Sequence, residues 1–192
     1  MRQQSKNDTS PIIVNKWVYP ENHTEIREVL AFEQSNLCAY TETYLGRTDK
    51  REIEHFNPTL KNSTNDSYHN WFLVKAQWNS EKSNKWAKFQ PILHPTSADF
   101  LDRIIYESGN YICHPTDIEA KNLINLLKLD DLELTKDRVR YIDRRRKEIA
   151  EKQISAETYF QELLNEEPNH VYFIRAIEEE FHITLTLKRE IT

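Results

Sequence analysis

The chain has 192 residues, 38% hydrophobic, 30% charged and 11% aromatic, a balance that fits one globular domain, or a small core with an extension, and argues against disorder. With only two glycines it cannot build a glycine-rich phosphate loop, and it contains no run of 18 apolar residues to span a membrane. A formal net charge of −5 runs against the basic face that phosphate binding wants.

In chain order, residues 1–10 are polar and are expected to be disordered; nothing in them reads as a signal peptide. Residues 11–19 carry Ile12, Ile13, Val14, Trp17 and Val18, and suggest a strand or a packed arm. Residues 21–36 read as a helix with Ile26, Val29 and Leu30 at helical spacing and Asn22 or Thr24 as cap. A turn near Gly46 follows. Residues 51–56 are then a short strand, 57–67 a loop rich in Asn, Ser and Thr, 70–74 a second strand, and 79–88 a helix. Residues 91–115 are loop with a hairpin at Ser108-Gly109-Asn110. Four helices are expected after that, over 116–129 with Thr116 and Glu119 as a capping box, then 135–152, 155–164 and 169–181; residues 184–187 alternate as a strand would. The predicted fold class is α+β, divided into an amino-terminal arm (1–20), a ββα core (21–95) and a mainly helical carboxy-terminal region (96–192).

Chemistry concentrates in the predicted strand–loop–strand–helix unit. Histidine has the unperturbed pKa best suited to deprotonate a water near neutral pH. His55 is at a strand end, before the turn made by Asn57-Pro58, and next to Glu54, a hard oxygen donor. On a regular strand these two neighbours face opposite sides, so a bend is needed to bring them to one cleft. Asn79, near the start of the predicted helix, offers a neutral oxygen. One carboxylate and one amide suit Mg2+ or Mn2+, which keep several waters and stabilise charge building on phosphate. Lys82 shares a helix face with Asn79, and Lys82 and Lys85 are the candidate phosphate contacts. Asn70 is expected to brace the 57–67 loop, and through it His55.

Two further features bear on partners. Residues 75–88 carry four lysines against Glu81, and residues 136–152 carry eight basic side chains against four acidic ones. Both read either as nucleic-acid-facing patches or as ordinary solvated faces. Cys38 and Cys113 form neither a CxxC pair nor a disulfide framework, and are expected to be reduced cysteines of a cytoplasmic protein.

The order Glu54-His55, Asn70, Asn79 and Lys82 resembles the HNH endonuclease motif. A wider stretch, including Cys38-Ala39-Tyr40, Ile53 to Pro58, Asn70-Trp71, Asn79 to Lys82 and Pro91-Ile92-Leu93, is similar to the HNH subunit of Septu-type anti-phage systems, also found in some retrons. Leu126, Leu129, Leu134 and Arg138 resemble its helical half. The resemblance covers roughly residues 25–145. It implies a ββα-metal core and a metal-dependent nuclease acting on DNA, or on RNA, beside a separate ATPase subunit. In it His55 would be the general base, Asn70 the brace, and Glu54 and Asn79 the metal ligands. That branch often carries two CxxC knuckles for a structural zinc. Here Thr41, Lys75 and Trp78 stand where three of the cysteines would be, so no structural zinc is expected, and Trp71, Trp78 and Trp86 are expected to pack in its place. The carboxy-terminal helices are expected to offer a partner surface or a homodimer contact, or simply to cap the core. The alternative to a nuclease is an inactive HNH-like unit that binds nucleic acid or acts as a scaffold.

Overall fold

The computed structural model describes residues 1–187. Its elements are α-helices of 4 to 21 residues and two small antiparallel sheets, an α+β arrangement. Contrary to the expected disorder, residues 1–10 are pinned by bonds to distant backbone: Gln3 Nε2 donates to Ser97 O at 2.7 Å, the Gln4 amide nitrogen to Pro95 O at 2.9 Å, and Lys6 Nζ to Trp71 O. α1, Pro11–Val14, is a single helical turn and not a strand. Ser10 caps it and Pro11 occupies its first turn, a position where proline loses no hydrogen bond. α2, His23–Glu33, buries Ile26, Leu30 and Ala31.

β1, Arg51–His55, pairs antiparallel with β2, Trp71–Lys75, in a register that sets His55 opposite Trp71 and Arg51 opposite Lys75. The chain passes straight from β2 into α3, Ala76–Lys82, which begins three residues earlier than its sequence suggests and continues as a 3-10 segment over Ser83–Phe89. α3 lies against both strands. Gln34, at the end of α2, holds the middle of β2. Its Oε1 accepts from the Leu73 amide at 2.8 Å while its Nε2 donates to the Leu73 carbonyl at 2.8 Å. With the Ala39 amide, which also donates to Leu73 O at 3.0 Å, this satisfies the buried outer edge of β2.

α4, Phe100–Arg103, leads into the hairpin of β3, Ile105–Glu107, and β4, Asn110–Ile112. Ser108 and Gly109 both have positive φ, +47° and +87°, as a two-residue hairpin turn of right-handed twist requires. α5, Ile118–Leu127, is capped by Asp117 and not by Thr116: the Asp117 carboxylate takes the Ala120 amide at 3.0 Å and is itself held by Arg103. α6, Leu132–Lys152, α7, Ala156–Glu166, and α8, Ile174–Phe181, complete the described fold. Residues 183–187 pair with no strand.

One apolar core runs from Met1 through β1, β2 and α5 to Leu129; a second joins Leu37 to α6, α7 and α8. Arg138 of α6, fully buried, ties them to the hairpin by donating to Gly109 O at 2.6 Å and Leu129 O at 3.0 Å. No helix among the described residues is long and apolar enough to cross a membrane.

Candidate functional site

Side chains alternate along a strand. In β1 this sends Glu52 and Glu54 toward α3, and Ile53 and His55 to the other face. Residues three apart on a helix share a face, so Asn79 and Lys82 of α3 stand over the two glutamates. The pairing goes rung by rung. Asn79 Nδ2 donates to Glu52 Oε2 at 2.8 Å, and Lys82 Nζ donates to Glu54 Oε1. The expected partnership of Glu54 with Asn79 is therefore corrected: helix and strand repeat in step, and each group meets a different neighbour.

Lys82 is also corrected as a phosphate contact. Its side chain is only 3% exposed, and its three N–H groups are used on Glu54, His55 O at 2.8 Å and Phe56 O at 2.6 Å. Burial pulls the Lys82 ammonium below its ordinary pKa and pushes the Glu54 carboxyl above its own, with the mutual attraction opposing both shifts. Three acceptors around one nitrogen match an ammonium ion and not a neutral amine, which has only two donors. Lys85 is exposed, its Nζ turned back to the Glu81 carbonyl at 2.7 Å.

His55 lies on the opposite side of β1 and is 4% exposed. The bend that would bring it beside Glu54 is absent, because the β1–β2 ladder stays in register through His55. Its ring meets Tyr19 edge-on at 4.7 Å and Trp71 at 6.4 Å. Nε2 lies 3.0 Å from Asp66 Oδ2, close enough for an ion pair but off the line of a hydrogen bond. Burial lowers the His55 pKa, and the Asp66 carboxylate opposes that shift. The net direction keeps the imidazole neutral at pH 7, the form a base must have.

Asn70 organises the loop in front of His55. Its Oδ1 accepts from the Asn57 amide at 2.7 Å, and its Nδ2 donates to Asn57 O and Asp66 Oδ1, both at 3.1 Å. Trp71 Nε1 donates to the same Asp66 oxygen at 2.8 Å. Asn70 thus fixes Asp66, and Asp66 faces His55. Sequence reasoning passed over Asp66 and Glu52. The signal for Asp66 was available: it is the sole carboxylate in the 57–67 loop.

As arranged, the residues do not fit a divalent cation. The Glu54 carboxylate is held by an ammonium, Glu52 by Lys50 at 2.8 Å and by Asn79, and among the described residues no three His, Cys, Asp or Glu side chains converge as metal ligands. Cys38 is buried and Cys113 half-buried, both as free thiols. Trp71 is buried in the first core, with Trp78 and Trp86 packed against it.

No protein-family model matches the chain, and neither the curated proteins nor the solved structures include a significant match.

Proposed function

We propose that the chain is an HNH-type endonuclease that hydrolyses phosphodiester bonds of nucleic acid, DNA first, with His55 as general base. In this reading the neutral imidazole takes a proton from the water that attacks phosphorus, and the P–O bond to the leaving sugar oxygen breaks. Asp66 positions the imidazole, and Asn70 positions Asp66. The observation that carries the reading is this relay: a neutral histidine at a strand end, faced by a carboxylate that an asparagine locks in place. Mg2+ or Mn2+ belongs to the proposal as cofactor on the HNH resemblance alone: Glu54 and Asn79 would be its ligands only once Glu54 left Lys82 and Asn79 left Glu52. An ATPase subunit as partner and a role in anti-phage defence also belong to it, on the HNH resemblance alone.

The test incubates the purified chain with plasmid and single-stranded DNA in Mg2+, Mn2+ or EDTA, alongside His55→Ala. Loss of a general base costs about 10²- to 10⁴-fold. Equal cleavage by wild type and variant would reject the assignment.

A second reading, a nucleic-acid-binding or scaffold unit without hydrolytic activity, is favoured by one observation: the Lys82–Glu54 pair neutralises the carboxylate a metal would need. Calorimetry with Mn2+ separates the two. Heat of binding that disappears in Glu54→Gln supports the nuclease, and no heat supports the scaffold.

A further inference from the structure

A cavity of about 360 Å³ opens beside the loop that follows His55. Of the residues assigned roles above, Asn70 lines it and His55 does not. Its volume falls at the lower end of ligand pockets, which run from about 300 to 1,000 Å³. Phe56, Trp86 and His94 supply its aromatic wall, with Phe56 meeting Trp86 edge-on at 5.1 Å and His94 edge-on at 4.8 Å. Asn57 and Asn65 supply amides at the rim.

The polar groups are set for recognition. The Thr96 backbone amide donates to His94 Nδ1 at 3.3 Å, and the Thr96 hydroxyl sits 2.8 Å from the same atom. A backbone N–H only donates, so Nδ1 is an acceptor and the ring proton sits on Nε2. Burial also lowers the His94 pKa, in keeping with a neutral ring. Nε2–H has no partner among the described residues and belongs to a residue that lines the cavity. The Asn57 carboxamide oxygen is occupied by the Thr59 amide at 3.0 Å and hydroxyl at 2.7 Å, and its NH2 group has no partner among the described residues. Flat rings with fixed hydrogen-bond donors between them suit a planar heterocycle that carries acceptors on its edge.

Position narrows the ligand. Asn57 lines the cavity two residues after His55, and two residues of extended chain span at most about 7 Å. The aromatic wall stands on the Glu54 face of β1, against Phe72, and His55 does not line the cavity. Resting on the nuclease reading, we infer that this cavity seats one unstacked nucleobase of the bound strand. The base stacks on Trp86 and accepts from His94 Nε2–H and the Asn57 amide. Substrate choice is then made in this cavity.

The test titrates AMP, GMP, CMP and UMP into the full chain by calorimetry, with ribose 5-phosphate as the base-free control. Saturable binding of at least one nucleotide, with the control at least tenfold weaker, is the expected result. Trp86→Ala should weaken that nucleotide about 5- to 100-fold through lost stacking. His94→Phe keeps a ring against Phe56 but deletes the donor, and should weaken it at least fivefold and flatten the ranking of the four bases. Should Trp86→Ala fail to fold by circular dichroism, His94→Phe decides alone. Absence of nucleotide binding, equal binding of ribose 5-phosphate, or indifference to His94→Phe overturns the inference. His55→Ala separates the two proposals: it should bind mononucleotides as wild type does while losing cleavage. Binding with no cleavage by any form would sink the nuclease and leave the base pocket standing.

Discussion

Lys82 and Glu54 form an ion pair in which neither side chain is more than 4% exposed, and the lysine also closes the end of β1 by donating to the carbonyls of His55 and of Phe56 just beyond it. A buried pair of this kind adds little net stability, but removing one partner strands a charge. Lys82→Met should therefore destabilise the fold by about 3–5 kcal/mol. Pairing it with Glu54→Gln should return part of that loss. Urea unfolding of the two singles and the double measures the coupling; additive losses would contradict a buried pair.

Asp66→Asn keeps the shape of the contact beside His55 but removes its charge. Since that carboxylate raises the imidazole pKa against the lowering by burial, the variant's His55 should titrate lower still. Histidine resonances followed by NMR across pH 4–8 give the shift directly. If cleavage is observed, the acid limb of its rate profile should move down with the same pKa.

The same histidine links stability to pH. Its folded pKa is below the unfolded value of about 6.5, so between the two the unfolded chain binds more protons. Folding stability should fall as pH drops through that window and level off beneath it. His94 shares this direction, so the quantity to measure is the slope difference between wild type and His55→Gln. No difference would mean that His55 ionises in the fold as it does in water.

Asn70→Ala deletes three hydrogen bonds; it takes the acceptor from the Asn57 N–H and leaves Asn57 O with the Leu60 amide at 3.2 Å. The expected cost is about 1–3 kcal/mol, the range for unsatisfied buried polar groups. Limited proteolysis should cut residues 57–67 faster in the variant, and an unchanged cutting rate would rule out bracing.

Gly109 tests the contact between hairpin and α6. A Cβ there would meet Val139 Cγ2 at 2.6 Å, and φ of +87° disfavours any other residue. Gly109→Ala should cost about 1–2 kcal/mol for the left-handed backbone alone, and more if Val139 cannot move. Val139→Ala in the same chain should recover the steric part, as thermal denaturation would show.

The architecture was legible where local chemistry is decisive. Ile53 and Leu73 marked paired strands, Ser108-Gly109 marked a hairpin, and the apolar spacing from Leu123 to Leu127 marked α5. Residues 1–10 were misread because their order comes from distant carbonyls at Pro95, Ser97 and Trp71, which no local pattern encodes. Ile12 and Ile13 look like strand residues, yet Ser10 and Pro11 impose a helical turn. In the site, Asn70's work on its loop could be read from the amide and the turn beside it. The partner exchange between Glu52, Glu54, Asn79 and Lys82 could not, because it depends on how the repeat of α3 falls against the repeat of β1.

Trp71 joins several of these threads: its indole N–H holds Asp66, its carbonyl takes Lys6, and its ring touches His55. Among the four tryptophans it is the one in ring contact with a histidine among the described residues. An imidazolium takes an electron from an excited indole more readily than a neutral ring does. The chain thus carries a native optical gauge of the charge on His55, readable as emission without any label.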